Sequence, residues 1–561
     1  MDFRWTTKLP WEPLRATPVE PNARKTSVNG RSALSAVLLV AAALLVAACG
    51  GSKSTTTTAG AHRTPAASAG CNTVTASGAA STTGASGAWV YSNSDLANTR
   101  DATGSTISSA NVSKLAQAWT FKLTGKAAAG VRPYGSLTAN PIVQNGVVYV
   151  QDLDSNVYAL ALATGKLEWE YQCNQQERSG PGPNGVAVAG GRVYGLTPTA
   201  AFALSASTGR TIWVNNGLLS NGQGTFGIQP QVADGRVYLA SQYGSGPGGG
   251  VLMALNASSG AVLWRFNTVA GPEPGVQALG VGSGGAWETP LVSSDGSVTY
   301  GIGNPYQSPA AAMAHPVPDL YTDSDVNLDA ATGKLRWYYQ GVPNDFKDYD
   351  MQASPISTNA GGTAVVIGSG KMGYVYETNA ATGKLIWKTP VGAHNSHDDD
   401  SLQVLEHRAT LKAPLTIVPG SLGGVLTDLA VAGDSVYVAT LDLPLTYTNL
   451  TQPVPTKAAG SPTGEVEALS LTTGRVEWDK KVPQLPLGAV TVSHDLVFTT
   501  LYDGVLIALN RSNGAVVYRN RLPTSANSPI AIAGNTVIVP AGGPVTSAGG
   551  GNPQVVAYKV P

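Results

Sequence analysis

An all-β fold, an eight-bladed β-propeller, is what this sequence predicts from its composition, its internal repeats and the complementarity of its early and late strands. Charged residues make up only 12% of the 561 residues, Gly is abundant, and long amphipathic helical patterns are scarce. Short strands separated by many turns follow from that composition. A unit of apolar strand, short turn, Thr-Gly or Ser-Gly, then a strand ending in Trp recurs along the chain. The copies read VYALALATGKLEW to Trp169, AFALSASTGRTIW to Trp213, VLMALNASSGAVLW to Trp264, DVNLDAATGKLRW to Trp337, VYETNAATGKLIW to Trp387 and VEALSLTTGRVEW to Trp478, then VLIALNRSNGAVVY, where Tyr518 replaces Trp. Each Gly suits a hairpin turn with positive φ, and each aromatic is expected to pack between neighbouring sheets. Upstream of most copies lies a second strand pair, such as GVAVAGGRVYGL or LAVAGDSVYVAT, which makes four short strands per unit. An eighth unit is assembled from SPIAIAGNTVIVPA and VVAYKV late in the chain and VSKLAQAWTF, ending near Trp119, early in it. Seven blades with stray terminal strands are the alternative.

In chain order, the first element is a targeting segment, 1–49. Arg24, Lys25 and Arg31 precede SALSAVLLVAAALLVAAC, an apolar run ending in small residues at Cys49. Val46-Ala47-Ala48-Cys49 followed by Gly50 resembles a bacterial lipobox, which implies cleavage before Cys49 and lipidation of its sulfur; an uncleaved anchor or ordinary signal peptide is the alternative. The expectation is an extracytoplasmic envelope lipoprotein that meets the membrane only through that anchor. From 50 to 87 the chain is low-complexity Ser, Thr, Ala and Gly, expected to be a flexible linker because it cannot bury enough apolar surface to fold. The propeller should occupy 88–561. Formal net charge is zero and no basic block follows the first thirty or so residues, which argues against a nucleic-acid or anionic-membrane surface. Cys71 and Cys173 are the cysteines left after Cys49; outside the cytoplasm they can pair, although the sequence leaves their geometry open. No CxxCH occurs, so no covalently attached haem is expected.

The repeat resembles the tryptophan-docking motif of quinoprotein dehydrogenases, eight-bladed propellers that hold pyrroloquinoline quinone (PQQ) and a metal on the ring axis. The resemblance runs from about Trp89 to Pro561 and includes the opening WVYSNSDLANTRDATGSTISSANVSKLAQAWTF, with Asn98, Thr99 and Arg100. A repeat speaks for fold and not for function.

Site residues follow from that resemblance one at a time. Trp287, in GSGGAWETP, is not a repeat-ending Trp and falls where the family places an indole against the quinone; packing between blades is the plainer reading. Asn304, in GIGNPYQ, matches an asparagine whose side-chain oxygen ligates the metal, though Asn-Pro between glycines is first a turn signal. VPNDFKDYDMQ follows GKLRWYYQ as a similar acidic segment does in the family, which carries the catalytic carboxylate onto Asp348. That Asp would remove a hydroxyl proton as hydride passes to the quinone. Asp350, two residues on, shares a face with Asp348 if DYDM enters a strand, so both would ligate the cation with Asn304, as in lanthanide-using relatives. A solvated acidic loop is the alternative, and Asn344 and Lys347 depart from the His and Trp of relatives. Lys371, in GSGKMGYVYETN, matches the cation that contacts a quinone carbonyl.

Other family positions are altered. SQYGSGPGGGVLMAL lacks the metal-binding Glu, the nearest position being about Ser245; Asn184 stands in the place of an Arg, and Thr138 near that of a Glu. The PGSLGGV loop is followed by Leu426 and Thr427 where relatives carry polar and Trp residues. VGAHNSHDDDSLQ gathers His394, His397, Asp398, Asp399 and Asp400, read as an acidic insertion loop, with a second metal site or substrate-entry loop as the alternative. The resemblance thus implies a PQQ-dependent oxidoreductase using calcium or a lanthanide, a small alcohol or sugar as substrate, and an electron acceptor in the envelope. The rival class is a non-catalytic binding or scaffold propeller lipoprotein with a degenerate cofactor site.

Overall fold

A computed structural model describes residues 71–75, 87–124, 136–175, 182, 184–220, 222–242, 249–269, 284–455, 457–543 and 552–561. The expected targeting segment with Cys49, and the linker up to residue 70, lie outside the described residues. The fold is all-β and propeller-like: among the described residues, eight sheets each contain a run of four antiparallel strands in meander order. Sheet 1 holds Ile142–Gln144, Val147–Gln151, Val157–Ala161 and Leu167–Gln172, and sheet 2 holds Ala187–Ala189, Arg192–Leu196, Ala201–Ser205 and Thr211–Asn215. Sheet 3 runs from Gln231–Ala233 to Val262–Asn267, sheet 4 from Leu291–Val292 to Leu335–Gln340, and sheet 5 from Ile356–Ala360 to Leu385–Pro390. Sheet 6 runs from Ala430–Ala432 to Val476–Val482 and sheet 7 from Thr491–Ser493 to Val516–Arg521. Sheet 8 joins Ala531–Ala533, Thr536–Ala541 and Gln554–Lys559 to the early strand Ala116–Lys122, as the sequence predicts.

Burial explains the strand chemistry. Middle strands such as Val147–Gln151 and Val157–Ala161 are buried on both faces, because a neighbouring sheet covers each side, and they read as continuous apolar runs. Outer strands such as Val262–Asn267 are half exposed and alternate. Every outer strand carries a register shift just before its repeat aromatic: Leu335 and Trp337, for example, pair with consecutive residues Leu328 and Asn327. The extra residue turns outward, which accounts for exposed Ile212, Leu263, Ile386 and Val517, and the bulge aims the aromatic at the next sheet.

Those aromatics tie the sheets into sequence. The indole N–H groups of Trp119, Trp169, Trp213, Trp264, Trp337, Trp387 and Trp478 donate to the carbonyls of Leu162, Ala206, Ala257, Ala330, Ala380, Leu471 and Arg511, each in the next sheet's turn. Tyr518 Oη donates to Leu115 O at 3.2 Å, at the head of the sheet 8 strand. Gly333 shows why the turn needs glycine: its φ is +70°, and an added Cβ would lie 2.6 Å from the Trp264 ring. The glycine therefore answers two demands, the left-handed turn and the flat indole laid against it.

The expected linker reached too far. Asn72–Thr75 forms a fifth strand on sheet 1, paired with Leu167–Gln172, and Cys71 is bonded to Cys173. A polar segment can be ordered when backbone pairing to an existing edge, rather than apolar burial, holds it.

The segment Trp89–Ala102 threads along the innermost strands. Its backbone bonds to Val143 of sheet 1, Ser357 of sheet 5, Val431 of sheet 6 and Val492 of sheet 7. Arg100 is fully buried, and all its donors are used on neutral oxygens: Val490 O, Asn93 Oδ1, Asn140 Oδ1, Thr491 Oγ1 and Ile530 O. Insertions add the short helix Pro309–Ala314 within sheet 4, the short helix Asp400–Leu405 and the strand Leu415–Ile417 between sheets 5 and 6, and Leu445–Tyr447 and Lys457–Ala458 within sheet 6, the last three strands forming a small sheet. Phe346, Tyr349, Met351, Met372 and Tyr447 form an apolar cluster under them. No helix among the described residues is long and apolar enough to cross a membrane.

Candidate active site

Four connections deliver the candidate residues. Trp287 precedes Leu291–Val292 and Asn304 follows Ser297–Gly301, both in sheet 4; Asp348 and Asp350 lie between sheets 4 and 5; Lys371 sits in the turn after Thr363–Ser369 of sheet 5. Trp287, Asp348, Asp350 and Lys371 line one cavity. Asn304 stands behind them, its backbone N–H donating to Asp350 Oδ1 at 2.8 Å. Gly303 permits this approach, since a Cβ there would strike Asp350 Oδ1 and come within 3.0 Å of Trp287 Nε1.

The acidic segment is not a solvated loop: Asn344, Asp345, Lys347, Asp348 and Asp350 are all buried. Nor does DYDM enter a strand. Asp348 has φ +63°, a left-handed conformation unusual for a residue with a side chain, and the whole of 341–355 is irregular. The carboxylates meet by that turn instead of by strand alternation. Asp345 holds the turn by accepting from the Lys347 and Tyr349 N–H groups, while the Tyr349 hydroxyl reaches Pro419 O. The Lys347 ammonium lies 4.7 Å from the Tyr349 ring centre and donates to His397 O and Asp398 O.

Lys371 Nζ lies 2.5 Å from Asp350 Oδ2 and 3.1 Å from Asp348 Oδ2. The Asp348 carboxyl is raised to about 8, burial being the largest cause, with Lys371 opposing the rise and Asp350 adding to it. Burial would lower the Lys371 ammonium, but Asp348 and Asp350 together hold it above the usual lysine value. Asp348 Oδ1 and Asn304 Oδ1 are buried oxygens with no hydrogen-bond partner among the described residues.

The altered family positions are also in place. Thr138 Oγ1 donates to Asn184 Oδ1 at 2.6 Å, and Asn184 Nδ2 donates to the Trp287 carbonyl at 3.2 Å, so this part of the lining is polar and neutral. Ser245 lies outside the described residues. Leu426 and Thr427 reach the lining together with Leu441, Leu487 and Tyr502, which makes much of it apolar. His394 Nδ1 is 3.0 Å from Asp398 Oδ1 and His397 Nδ1 is 2.8 Å from Asp400 Oδ2, so each histidine is spent on a carboxylate of its own insertion.

Three acids escaped sequence reasoning. Glu288 and Asp428 line the cavity; burial pushes the Glu288 carboxyl well above its usual value, Asp428 adds to this and Arg100 opposes it. Asp428 Oδ1 accepts from the Ser354 N–H, and its Oδ2 has no partner among the described residues. Asp323 is fully buried with neither carboxylate oxygen hydrogen-bonded, and burial, then Asp345 and Asp350, push it far up. Glu288 adjoins Trp287 in GSGGAWETP and Asp428 follows Leu426 and Thr427, so their place beside candidate positions was the available signal.

The residues present fit the ring and carbonyl face of PQQ: Trp287 offers an indole on the lining, and the Lys371 ammonium stands beside it on the same cavity. They do not fit calcium or a lanthanide as expected. Asp348 and Asp350 are both engaged by Lys371, and among the described residues no three His, Cys, Asp or Glu groups come together as a metal site.

Comparison with known proteins bears on the repeat and the fold. The family model for the glucose/ethanol/alcohol dehydrogenase β-propeller domain matches residues 89–189 and 225–394, and that of outer membrane protein assembly factor BamB matches 462–559. The chain is a PQQ-repeat protein of the quinoprotein-dehydrogenase-like kind. It is similar to quinohemoprotein alcohol dehydrogenase ADH-IIG of Pseudomonas putida, 28% identical over 312 residues that cover 50% of this chain and 42% of the relative. Against the quinohemoprotein alcohol dehydrogenase of Comamonas testosteroni the figures are 28% over 335 residues, 53% and 46%. The chain thus spans about half the length of the curated relatives it matches. In fold it resembles the crystal structure of the Comamonas testosteroni enzyme, with TM-score 0.70, 21% identity and coverage of 84% of this chain and 80% of that one. A europium-containing methanol dehydrogenase matches with TM-score 0.70 and 19% identity, over 84% and 98% of the two chains.

Proposed function

We propose that this chain oxidises the hydroxyl of a small alcohol with PQQ as hydride acceptor, that its eight sheets are the blades of one closed ring, and that a lipid on Cys49 tethers it outside the cytoplasm. The observation that carries the reading is Asp348: one carboxylate oxygen is bound to Lys371, the other has no partner, and the residue lines a cavity shared with Trp287. PQQ, when bound, supplies a two-electron acceptor for the hydride leaving the alcohol carbon. Asp348 Oδ1 takes the hydroxyl proton as the C–O bond becomes C=O, and a carboxyl raised to about 8 becomes a base stronger than an ordinary carboxylate once the pH exceeds that value. Trp287 supports the ring plane, and Asn304 fixes Asp350, which in turn fixes Lys371 against Asp348. Alcohol-oxidising relatives support the substrate class.

The neutral Thr138–Asn184 pair favours a second reading, a propeller that keeps its fold and has lost its cofactor. One experiment separates the two. The full-length chain in detergent is titrated with PQQ, following quinone absorbance and alcohol-dependent reduction of an artificial electron-acceptor dye, with Asp348→Asn as control. Saturable uptake with turnover lost in the variant supports the enzyme; absence of PQQ uptake supports the scaffold.

A further inference from the structure

We propose that the resident cation of this site is the ammonium of Lys371, standing where a metal ion would otherwise bridge Asp348 and Asp350. The inference rests on reading Asp348 as the base, but its test reads metal binding and not turnover.

The geometry is that of a two-carboxylate cation seat already filled. Lys371 Nζ donates a charge-assisted hydrogen bond to Asp348 Oδ2 at 3.1 Å and forms an ion pair with Asp350 Oδ2 at 2.5 Å. All three groups are buried, so water does not screen the pair of contacts. The backbones of the two residues are also joined, the Lys371 N–H donating to Asp350 O at 3.0 Å. Asp350 is fixed in turn by the Asn304 N–H. A dipositive ion placed between the same carboxylates would put like charges within a few ångströms of a buried ammonium. It would also need further oxygens. No acid stands in SQYGSGPGGGVLMAL to supply one, and no third His, Cys, Asp or Glu joins the group among the described residues.

Terbium supplies the probe, because Trp287 on the lining can sensitise its emission. The full-length chain, dialysed against chelator, is titrated with Tb³⁺ alone, alongside Lys371→Gln, Lys371→Arg and Asp350→Asn. Wild type and Lys371→Arg should show no saturable Tb³⁺ emission and no change in melting temperature with calcium, lanthanum or chelator. Lys371→Gln, left with two uncompensated buried carboxylates, should bind Tb³⁺ roughly tenfold or more tighter than wild type. Stoichiometric micromolar Tb³⁺ binding by wild type that Asp350→Asn abolishes would overturn the proposal. So would a folded Lys371→Gln, judged by circular dichroism, that binds Tb³⁺ no better than wild type. Should Lys371→Gln not fold, the comparison of wild type with Lys371→Arg and Asp350→Asn decides alone.

Discussion

Asp348 and Lys371 are joined 3.1 Å apart inside the protein although 23 residues separate them, and this contact sets the protonation of the candidate base. Burial raises the Asp348 carboxyl to about 8 and Lys371 moderates the rise. A base must be deprotonated to act, so kcat/KM with an alcohol should increase with pH and level off above about 8. Asp348→Asn should lower turnover by about 10²-fold or more while leaving the melting temperature nearly unchanged, because the amide fills the same space. A flat pH profile in the wild type would remove Asp348 from the role.

The repeat glycines lie flat against indoles. Gly333→Ala sets a Cβ against the Trp264 ring and forces a side chain into φ +70°. A loss of about 1–3 kcal/mol in urea unfolding is expected. Gly104→Ala is the control, as open space surrounds it and its φ is ordinary. Equal effects of the two substitutions would show that the indole contact contributes nothing.

Breaking the Cys71–Cys173 bond should free the added strand of sheet 1. The bond spans 102 residues of sequence, and a cross-link over so long a loop stabilises by about 3–5 kcal/mol. Reductant should lower the melting temperature and speed hydrogen exchange at Asn72–Thr75, with the same result for Cys71→Ser in the absence of reductant. Unchanged exchange there would mean that backbone pairing alone holds the strand.

Stability should also respond to pH in an uncommon direction. Burial pushes Asp325 up to about 7 from 3.8, despite the hydrogen bond from Tyr376 at 2.9 Å. The folded chain therefore binds this proton more tightly than the unfolded one. Stability from the group is full below about 4, is lost as pH rises to about 7, and is constant above. Asp325→Asn keeps the acceptor and removes the charge, so the fall in stability across that window should shrink by up to about 1.4 kcal/mol per pH unit. Identical slopes in variant and wild type would contradict this.

Much of the architecture was legible because Trp and Gly mark a geometry that recurs. Trp264 and Gly333 must meet wherever two sheets adjoin, so the same letters return in each unit. The early strand ending near Trp119 was legible for the same reason. Asn72–Thr75 was not, since a strand added to an edge by backbone pairing leaves no apolar pattern. Trp287, Asp348, Asp350 and Lys371 stand out in the sequence one at a time, and the fold brings them to one cavity. Its electrostatics were not, because the left-handed turn at Asp348 and the meeting of Glu288 with Asp428 arise between segments far apart in sequence.

Sheet 8 takes its outer strand from Ala116–Lys122 and its other strands from beyond residue 530, and Tyr518 meets Leu115 across a sequence separation of 403. A ring clasped in this way has no finished state short of nearly all its residues. Sheets 1 to 7 can form as they emerge, each docking its aromatic on the next, but the apolar faces flanking the gap stay open until Gln554–Lys559 arrives. The last strand is therefore the latch, and the interval before it closes is when the protein most needs a chaperone's cover.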